Sequence, residues 1–319
     1  MKAALVKQAG AVPVYADFAE PVTAEGMVRV TVAASALSHV TRSRAAGKHY
    51  SDAAALPFVP GIDGTGVLDD GTRVYFVMPQ APFGGMAEQC LVDPVRCIAL
   101  PAGLDDITAA AIAIPGMSSW AALLERAKLV RGETVLINGA TGVSGRLAVQ
   151  IAKYLGAGRV IATGRNAQAL QTLHALGADV TISLAQPDAV LDRQFQSCFG
   201  DGVGVVLDYL WGPSAEQLLV AATKAAADAV PLRFVQIGAM SAATITLPSA
   251  VLRSSAIELL GSGIGSVAMP RIFATIAQLL GATIAGGFEI ATQAVPLSEI
   301  EAHWGQADSR IRTVFTPGR

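Results

Sequence analysis

The most specific chemistry in the chain lies in the run Val135-Leu136-Ile137-Asn138-Gly139-Ala140-Thr141-Gly142-Val143-Ser144-Gly145. A buried-strand pattern passes through glycines directly into residues of helical spacing. Such a turn lets backbone N–H groups approach a pyrophosphate, and the partial positive end of the following helix favours its charge. The spacing Ala140-x-Gly142-x-x-Gly145 has Ala where the commonest dinucleotide fingerprint has Gly. Sites for NAD place an Asp or Glu about 20 residues further on, against the ribose 2′-hydroxyl. That place reads Thr163-Gly164-Arg165-Asn166 here, and no acidic residue occurs from Thr134 to Ala178. An Arg pairs with a 2′-phosphate that a carboxylate would repel, so the expected cofactor is NADPH. The competing reading is a structural glycine turn that binds nothing, with Arg165 a solvated loop charge. On the binding reading the contact residues are Ala140, Thr141, Gly142, Val143, Ser144, Gly145, Gly164, Arg165 and Asn166. Ligands of parallel sheets sit beyond the carboxyl ends of strands, which adds Ile237 and Gly238 after one strand and Gly261 and Ser262 after another.

The elements that must position these residues alternate. From Thr134 the pattern predicts strands at Thr134–Asn138, Arg159–Thr163, Val180–Ser183, Val203–Tyr209, Arg233–Gly238 and Ala256–Leu260, with helices at Val143–Leu155 and Asn166–Leu176 between them. Strand alternating with helix argues for a parallel sheet covered on both faces. The first hundred residues read instead as short strands and turns, including Val28–Ala33 and a hairpin closed at Asp70-Gly71. An Ala-rich helical run from Asp105 to Leu124 leads into the second region. Past Met269 the pattern predicts a helix, a short strand near Phe288–Ala294, a helix from Leu297 and a last strand Arg312–Phe315. The expected fold class is α/β with two domains.

Composition narrows the function classes. With 319 residues, 52% hydrophobic and 15% charged, the chain has material for two cores and little for disorder. The 23 basic and 25 acidic residues form no basic block, so no nucleic-acid partner is expected. The apolar stretches, Ile257–Met269 among them, read as too interrupted for a membrane span, and the N-terminus lacks a signal-peptide pattern. Three scattered cysteines without C-x-x-C suggest a reducing, cytoplasmic setting. The four histidines show no metal-ligand spacing, so no metal is expected.

A wider pattern joins these parts: Gly84-Gly85-Met86-Ala87-Glu88, Leu100-Pro101-Ala102-Gly103, Ala109-Ala110-Ala111, Gly116-Met117-Ser118-Ser119-Trp120, Gly132 to Ile137, Ala148 to Lys153, and Leu176-Gly177-Ala178-Asp179. In this order it resembles the medium-chain dehydrogenase/reductase superfamily, in its zinc-free quinone oxidoreductase branch. The resemblance covers nearly the whole chain. It implies a GroES-like, mostly-β catalytic domain over residues 1–118, a Rossmann NADP(H)-binding domain over 119–264, and a C-terminal segment, 265–319, that returns to the first domain. It also implies a homodimer formed through the edge of the cofactor sheet.

Zinc enzymes of the superfamily carry a Cys after an early strand and a later Gly-His-Glu. The corresponding stretches here read Ser38-His39-Val40-Thr41 and Gly61-Ile62-Asp63-Gly64, without thiolate or imidazole at those places. Without a Lewis acid, the expected acceptors are quinones and conjugated enones, already electrophilic by conjugation. The resemblance makes Tyr50 a proton donor, with water as the other source, sets Ser38 and His39 at the substrate, and brings Ser118 near the nicotinamide. Each has a structural alternative: Tyr50 as a loop anchor, His39 as a structural residue, Ser118 as a helix cap, and Asp63 as a turn residue bonding backbone amides. The expected function is hydride transfer from NADPH to a small quinone or enone. The rival readings are an enoyl or alkenal reductase of the same branch and a NADPH-binding sensor without useful turnover.

Overall fold

In a computed structural model, residues other than 23, 49–54, 307–309 and 319 are described. The chain divides into two compact units, Met1–Ile114 with Ile276–Arg319, and Pro115–Thr275.

The first unit begins with the antiparallel pair β1 (Lys2–Leu5) and β2 (Val14–Asp17). Then come β3 (Val28–Ala36), helix α1 (His39–Ala45), β4 (Asp63–Leu68), β5 (Arg73–Val77), β6 (Gln89–Val92) and β7 (Cys97–Ala99). The hairpin between β4 and β5 turns at Asp70-Gly71, where Gly71 has φ +87° and its N–H donates to the Leu68 carbonyl. Only a glycine adopts that backbone at no steric cost. Val30 and Val32 of β3, Val74 and Phe76 of β5, and Cys90 and Val92 of β6 pack into one apolar cluster, each strand turning alternate side chains inward.

Helix α2 (Asp106–Ala121) carries the chain onward and runs into a wider turn at Ala122–Arg126. The stretch Asp106–Arg126 is long and apolar enough to cross a membrane by length and composition, which corrects the expectation that no such stretch exists. Of its most apolar window, 67% is buried within the protein, as in a core helix.

The second unit holds a six-stranded parallel sheet: β8 (Thr134–Asn138), β9 (Arg159–Gly164), β10 (Val180–Ser183), β11 (Val203–Asp208), β12 (Leu232–Gln236) and β13 (Ile257–Gly261). Between them lie α3 (Val143–Tyr154), α4 (Ala167–Thr172), α5 (Asp188–Gly200), α6 (Gly212–Ala225) and α7 (Ser249–Arg253). The predicted helix Asn166–Leu176 is broken into α4 and a 3-10 turn, His174–Leu176, that Gly177 ends in a left-handed conformation. The strand order is β10-β9-β8-β11-β12-β13. This is the doubly wound order 3-2-1-4-5-6, whose crevice opens where the order reverses, between β8 and β11. Leu136, Ile161, Val206 and Phe234 pack against Phe195, Leu218 and Leu219 on one face of the sheet.

After α8 (Met269–Thr283), β14 (Thr292–Pro296), α9 (Ile300–His303) and β15 (Arg312–Thr316) complete the chain. The strand predicted near Phe288–Ala294 forms later, at Thr292–Pro296, because its partner in parallel register is β15. β15 in turn pairs antiparallel with β3, so the seven-stranded sheet of the first unit mixes both senses: β14-β15-β3-β4-β5-β7, with β6 on β3.

Candidate functional site

At the crevice of the parallel sheet, β8 ends at Asn138 and the chain turns through Gly139, φ +89°, toward α3. The turn is tied to the next strand: Ala140 N donates to Thr163 O at 2.8 Å and Gly139 N to Thr163 Oγ1 at 3.2 Å. Gly142 is the N-cap of α3 in extended conformation, with no side-chain cap, so the first N–H groups of a twelve-residue helix have no side-chain acceptor at this end. Those groups and the helix dipole are what an anionic phosphate needs. Gly145 lets the helix come close: a Cβ there would stand 2.4 Å from Gly139 O and 2.5 Å from Ala140 Cα. Gly164 likewise accepts Thr141, whose Cγ2 would be 2.5 Å from an added Cβ.

Beneath the turn lies a buried polar chain. Thr163 Oγ1 donates to Asn138 Oδ1 at 2.7 Å, and Asn138 Nδ2 donates to Asp208 Oδ1 at 2.8 Å and to Ser214 Oγ at 2.9 Å. The Asp208 carboxylate also accepts from the backbone of Leu210 and Trp211. Thr163, Asn138 and Asp208 are fully buried. Burial raises the Asp208 pKa above the usual carboxylate range, against the lowering effect of these donors. The chain thereby locks the carboxyl ends of β9, β8 and β11 together across the crevice.

The remaining candidates of this unit sit at the same carboxyl edge. Arg165 is exposed immediately beyond β9, with no hydrogen bond or ion pair among the described residues. Asn166 caps α4, its Oδ1 accepting from Ala169 N at 2.9 Å. Ile237 N and Gly238 N both donate to Asp208 O, and Ser262 N donates to Gln236 O. Gly261 has open space where a Cβ would stand. Ser118 lies inside α2, where its hydroxyl donates to Pro115 O at 2.7 Å, rather than at a helix cap. Its neighbour Ser119, which sequence reasoning passed over, shares a 2.9 Å hydrogen bond with the Tyr209 hydroxyl. Burial pushes that phenol up to about 12.

In the first unit, Ser38 is the N-cap of α1: its Oγ accepts from Thr41 N at 2.9 Å and pairs with Thr41 Oγ1 at 2.8 Å. Its hydroxyl is engaged and buried. His39, the next residue, is exposed; partial desolvation, then the charges of Arg312 and Arg42, push its pKa down. Tyr50 lies outside the described residues.

Asp63 is not the turn residue expected. It begins β4, is fully buried, and accepts from the Tyr75 hydroxyl at 2.8 Å rather than from backbone amides. Burial raises its pKa to about 6, partly offset by Tyr75 and Arg312. The native state therefore holds this proton more tightly than the unfolded chain, whose carboxyl has its ordinary value of 3.8. As far as this group is concerned, stability is greatest below pH 4 and falls as pH rises through 6, by about 3 kcal/mol in all. In Asp63→Asn that fall should be absent, so urea midpoints of parent and variant should converge toward pH 4 and separate in the variant's favour by pH 7. Parallel midpoints across this range would refute the assignment.

The donor set does not suit zinc. Ser38 Oγ is occupied as a cap, Ile62 has no donor atom, and a single carboxylate oxygen remains on Asp63. Zn²⁺ takes three or four Cys, His or carboxylate ligands. Among the described residues no group of three or more His, Cys, Asp or Glu could hold a metal.

This combination of a mixed sheet and a 3-2-1-4-5-6 parallel sheet is a medium-chain dehydrogenase/reductase-like oxidoreductase fold, close to the quinone and enoyl reductase branch. Residues 144–282 match the zinc-binding dehydrogenase family. The chain is 29% identical to a probable NADPH-dependent quinone reductase of Emericella nidulans, over 96% of both proteins. It is 31% identical to the 2-methylene-furan-3-one reductase of Solanum lycopersicum, over 52% of this chain and 47% of that protein. Among solved structures, it is similar to the quinone oxidoreductase of Thermus thermophilus, also solved in complex with NADPH, at 27% identity and TM-score 0.82, over 99% of this chain and 100% of the other.

Proposed function

We propose that this protein is a zinc-independent NADPH-dependent reductase whose acceptor is a quinone or a conjugated enone. The observation that carries it is the β8–α3 turn with an exposed Arg165, and no acidic residue, at the end of the neighbouring strand β9. The cofactor, when bound, supplies the hydride. The chain's residues do the rest. The amides of Val143, Ser144 and Gly145 bind the pyrophosphate, Arg165 binds the 2′-phosphate, Gly261 leaves room at the nicotinamide half, and Gly238 lets the end of β12 come close to the Tyr209 backbone there. His39, held toward its neutral form, offers a hydrogen-bonding nitrogen to the acceptor, and Tyr50 or water provides the proton that the reduced oxygen takes up. With acceptors activated by their own conjugation, orientation is the main contribution required of the protein.

Oxidation of NADPH and of NADH, each with a quinone panel and an enone panel and a zinc chelator present, tests this reading. NADPH-specific turnover that survives chelation supports it; binding without turnover would favour the sensor. Similarity to the furanone reductase favours the enone panel as the second reading. Arg165→Ala should raise KM for NADPH about 10- to 100-fold, the worth of one charge-assisted hydrogen bond, and leave KM for NADH unchanged. Equal effects on both cofactors would remove Arg165 from the 2′-phosphate.

We further propose a homodimer through β13, the edge of the parallel sheet, where Leu259 is exposed, as is Ile264 three residues past the strand's end. A cytoplasmic setting accords with the three free thiols, Cys90, Cys97 and Cys198.

A further inference from the structure

One face of the first unit's sheet carries a buried polar strip that none of the roles above uses. Antiparallel register sets Ala34 opposite Thr65 and Ala36 opposite Val314. Continued toward the end of β3, it sets Asp63 opposite Ala36 and Arg312 opposite Ser38. Side chains two apart on a strand share a face, so Asp63, beside the small Ala36, and Arg312, one place beyond Val314 on that face, lie on the same side of the sheet on the two strands that neighbour β3. Tyr75, on β5, completes the strip from the far side of Asp63.

The polar atoms are left complementary. Asp63 Oδ1 is buried without a hydrogen-bond partner, and so are Arg312 Nε and Nη2. Asp63 is 0% exposed and Arg312 9%. The two charges attract each other, yet no hydrogen bond joins them. Nε and Nη2 lie along one edge of the guanidinium, a fork whose two N–H groups converge on a single oxygen. Whatever satisfies this set must accept twice and donate at least once. Above pH 6, where Asp63 is ionised, a halide or a carboxylate cannot donate to it. A water molecule does both, and buried waters make about three hydrogen bonds.

We propose that Asp63 and Arg312 hold one internal water, which accepts from Arg312 Nε and Nη2 and donates to Asp63 Oδ1, and that this bridge makes Arg312 a positioning residue for the Ser38–His39 segment. The bridge stands at the end of a short ladder: β15 pairs with β3 at Val314 with Ala36 and Phe315 with Ser35, and Leu37 N donates to Thr313 O at 2.9 Å just beyond. Beyond it the chain turns into α1, whose Arg42 reaches back to the Gln306 carbonyl. Arg312 therefore ties the returning strand to the junction that presents His39. The kinetic consequence rests on the reductase reading; the water does not.

A crystal structure of the full chain at a resolution that orders internal solvent decides the first point. A single density peak within hydrogen-bond distance of all three atoms is expected. No peak, or Arg312 directly against Asp63, would overturn the bridge. Arg312→Lys keeps the charge and loses the fork, and Arg312→Met loses both. Both variants should lower kcat for the preferred acceptor about tenfold while KM for NADPH stays within twofold. A kcat within twofold of the parent in either variant would overturn the positioning role. A poorly folded Arg312→Met leaves Arg312→Lys to decide. Should the parent itself show no turnover, the reductase reading fails, and His39 takes over as the readout. Its imidazole titration, followed by NMR, should then move in Arg312→Lys, which keeps the charge and loses the fork, and an unmoved titration overturns the positioning role.

Discussion

Asp208→Ala is expected to destabilise the protein by about 3–5 kcal/mol, because it orphans several buried donors at once. Asn138 Nδ2 would lose its 2.8 Å bond, and the Leu210 and Trp211 amides would lose bonds of 3.0 and 3.1 Å. Trp211 sits at φ +57°, an unfavourable backbone for a bulky side chain, so its amide is held in place by this carboxylate. Urea denaturation at pH 7 measures the loss. Asp208→Asn keeps the oxygen that accepts from all three donors and should retain most of the stability. If the two variants were equally stable, the carboxylate would not be the anchor of the crevice. NADPH affinity should fall in Asp208→Ala as well, since the strand ends below the phosphate turn would no longer be held in register.

Gly145→Ala is expected to weaken NADPH binding about 10- to 100-fold and to cost roughly 1–3 kcal/mol of stability. The added methyl meets backbone on two sides, Gly139 O at 2.4 Å and Ala140 Cα at 2.5 Å, and backbone cannot rotate away as a side chain can. The helix must back off from the turn or the turn must open. Either change displaces the amides from the phosphate. Gly261→Ala is the matching control for stability, since nothing lies within 4 Å of the new methyl. A thermal midpoint unchanged in Gly261→Ala and lowered in Gly145→Ala, together with fluorescence titration of NADPH, separates contact with the cofactor from damage to the turn. Undiminished NADPH affinity in Gly145→Ala would mean that the cofactor does not use this turn.

The two predictions differ in what a reader of the sequence could have foreseen. The turn from Gly139 to Gly145 is a local feature, written in consecutive residues, and β8 and α3 form where their patterns predict. The same is true of β10 and, within a residue or two, of β9, β11, β12 and β13. Arg165 could be located from the end of β9 by counting along the chain. Asp208, in contrast, has nothing among its neighbours in the sequence that marks its partners. Asn138 stands 70 positions from Asp208 and 25 from Thr163, and only the parallel pairing of β8 with both β9 and β11 brings the three side chains together.

The first unit shows the same limit more sharply. In the sequence Ser38 and Asp63 stand out for their place relative to a metal shell, while Tyr75 and Arg312 carry no signal as partners of either. Helix capping engaged Ser38, and sheet register delivered the others. The amino-acid sequence by itself determined the alternation of strand and helix, the glycine turn and the absence of an acid beyond it, since each depends on neighbours a few positions apart. Tertiary structure alone decided which polar groups are buried together and which are left to bind, because burial and hydrogen bonding depend on strands that meet across the sheet from distant parts of the chain.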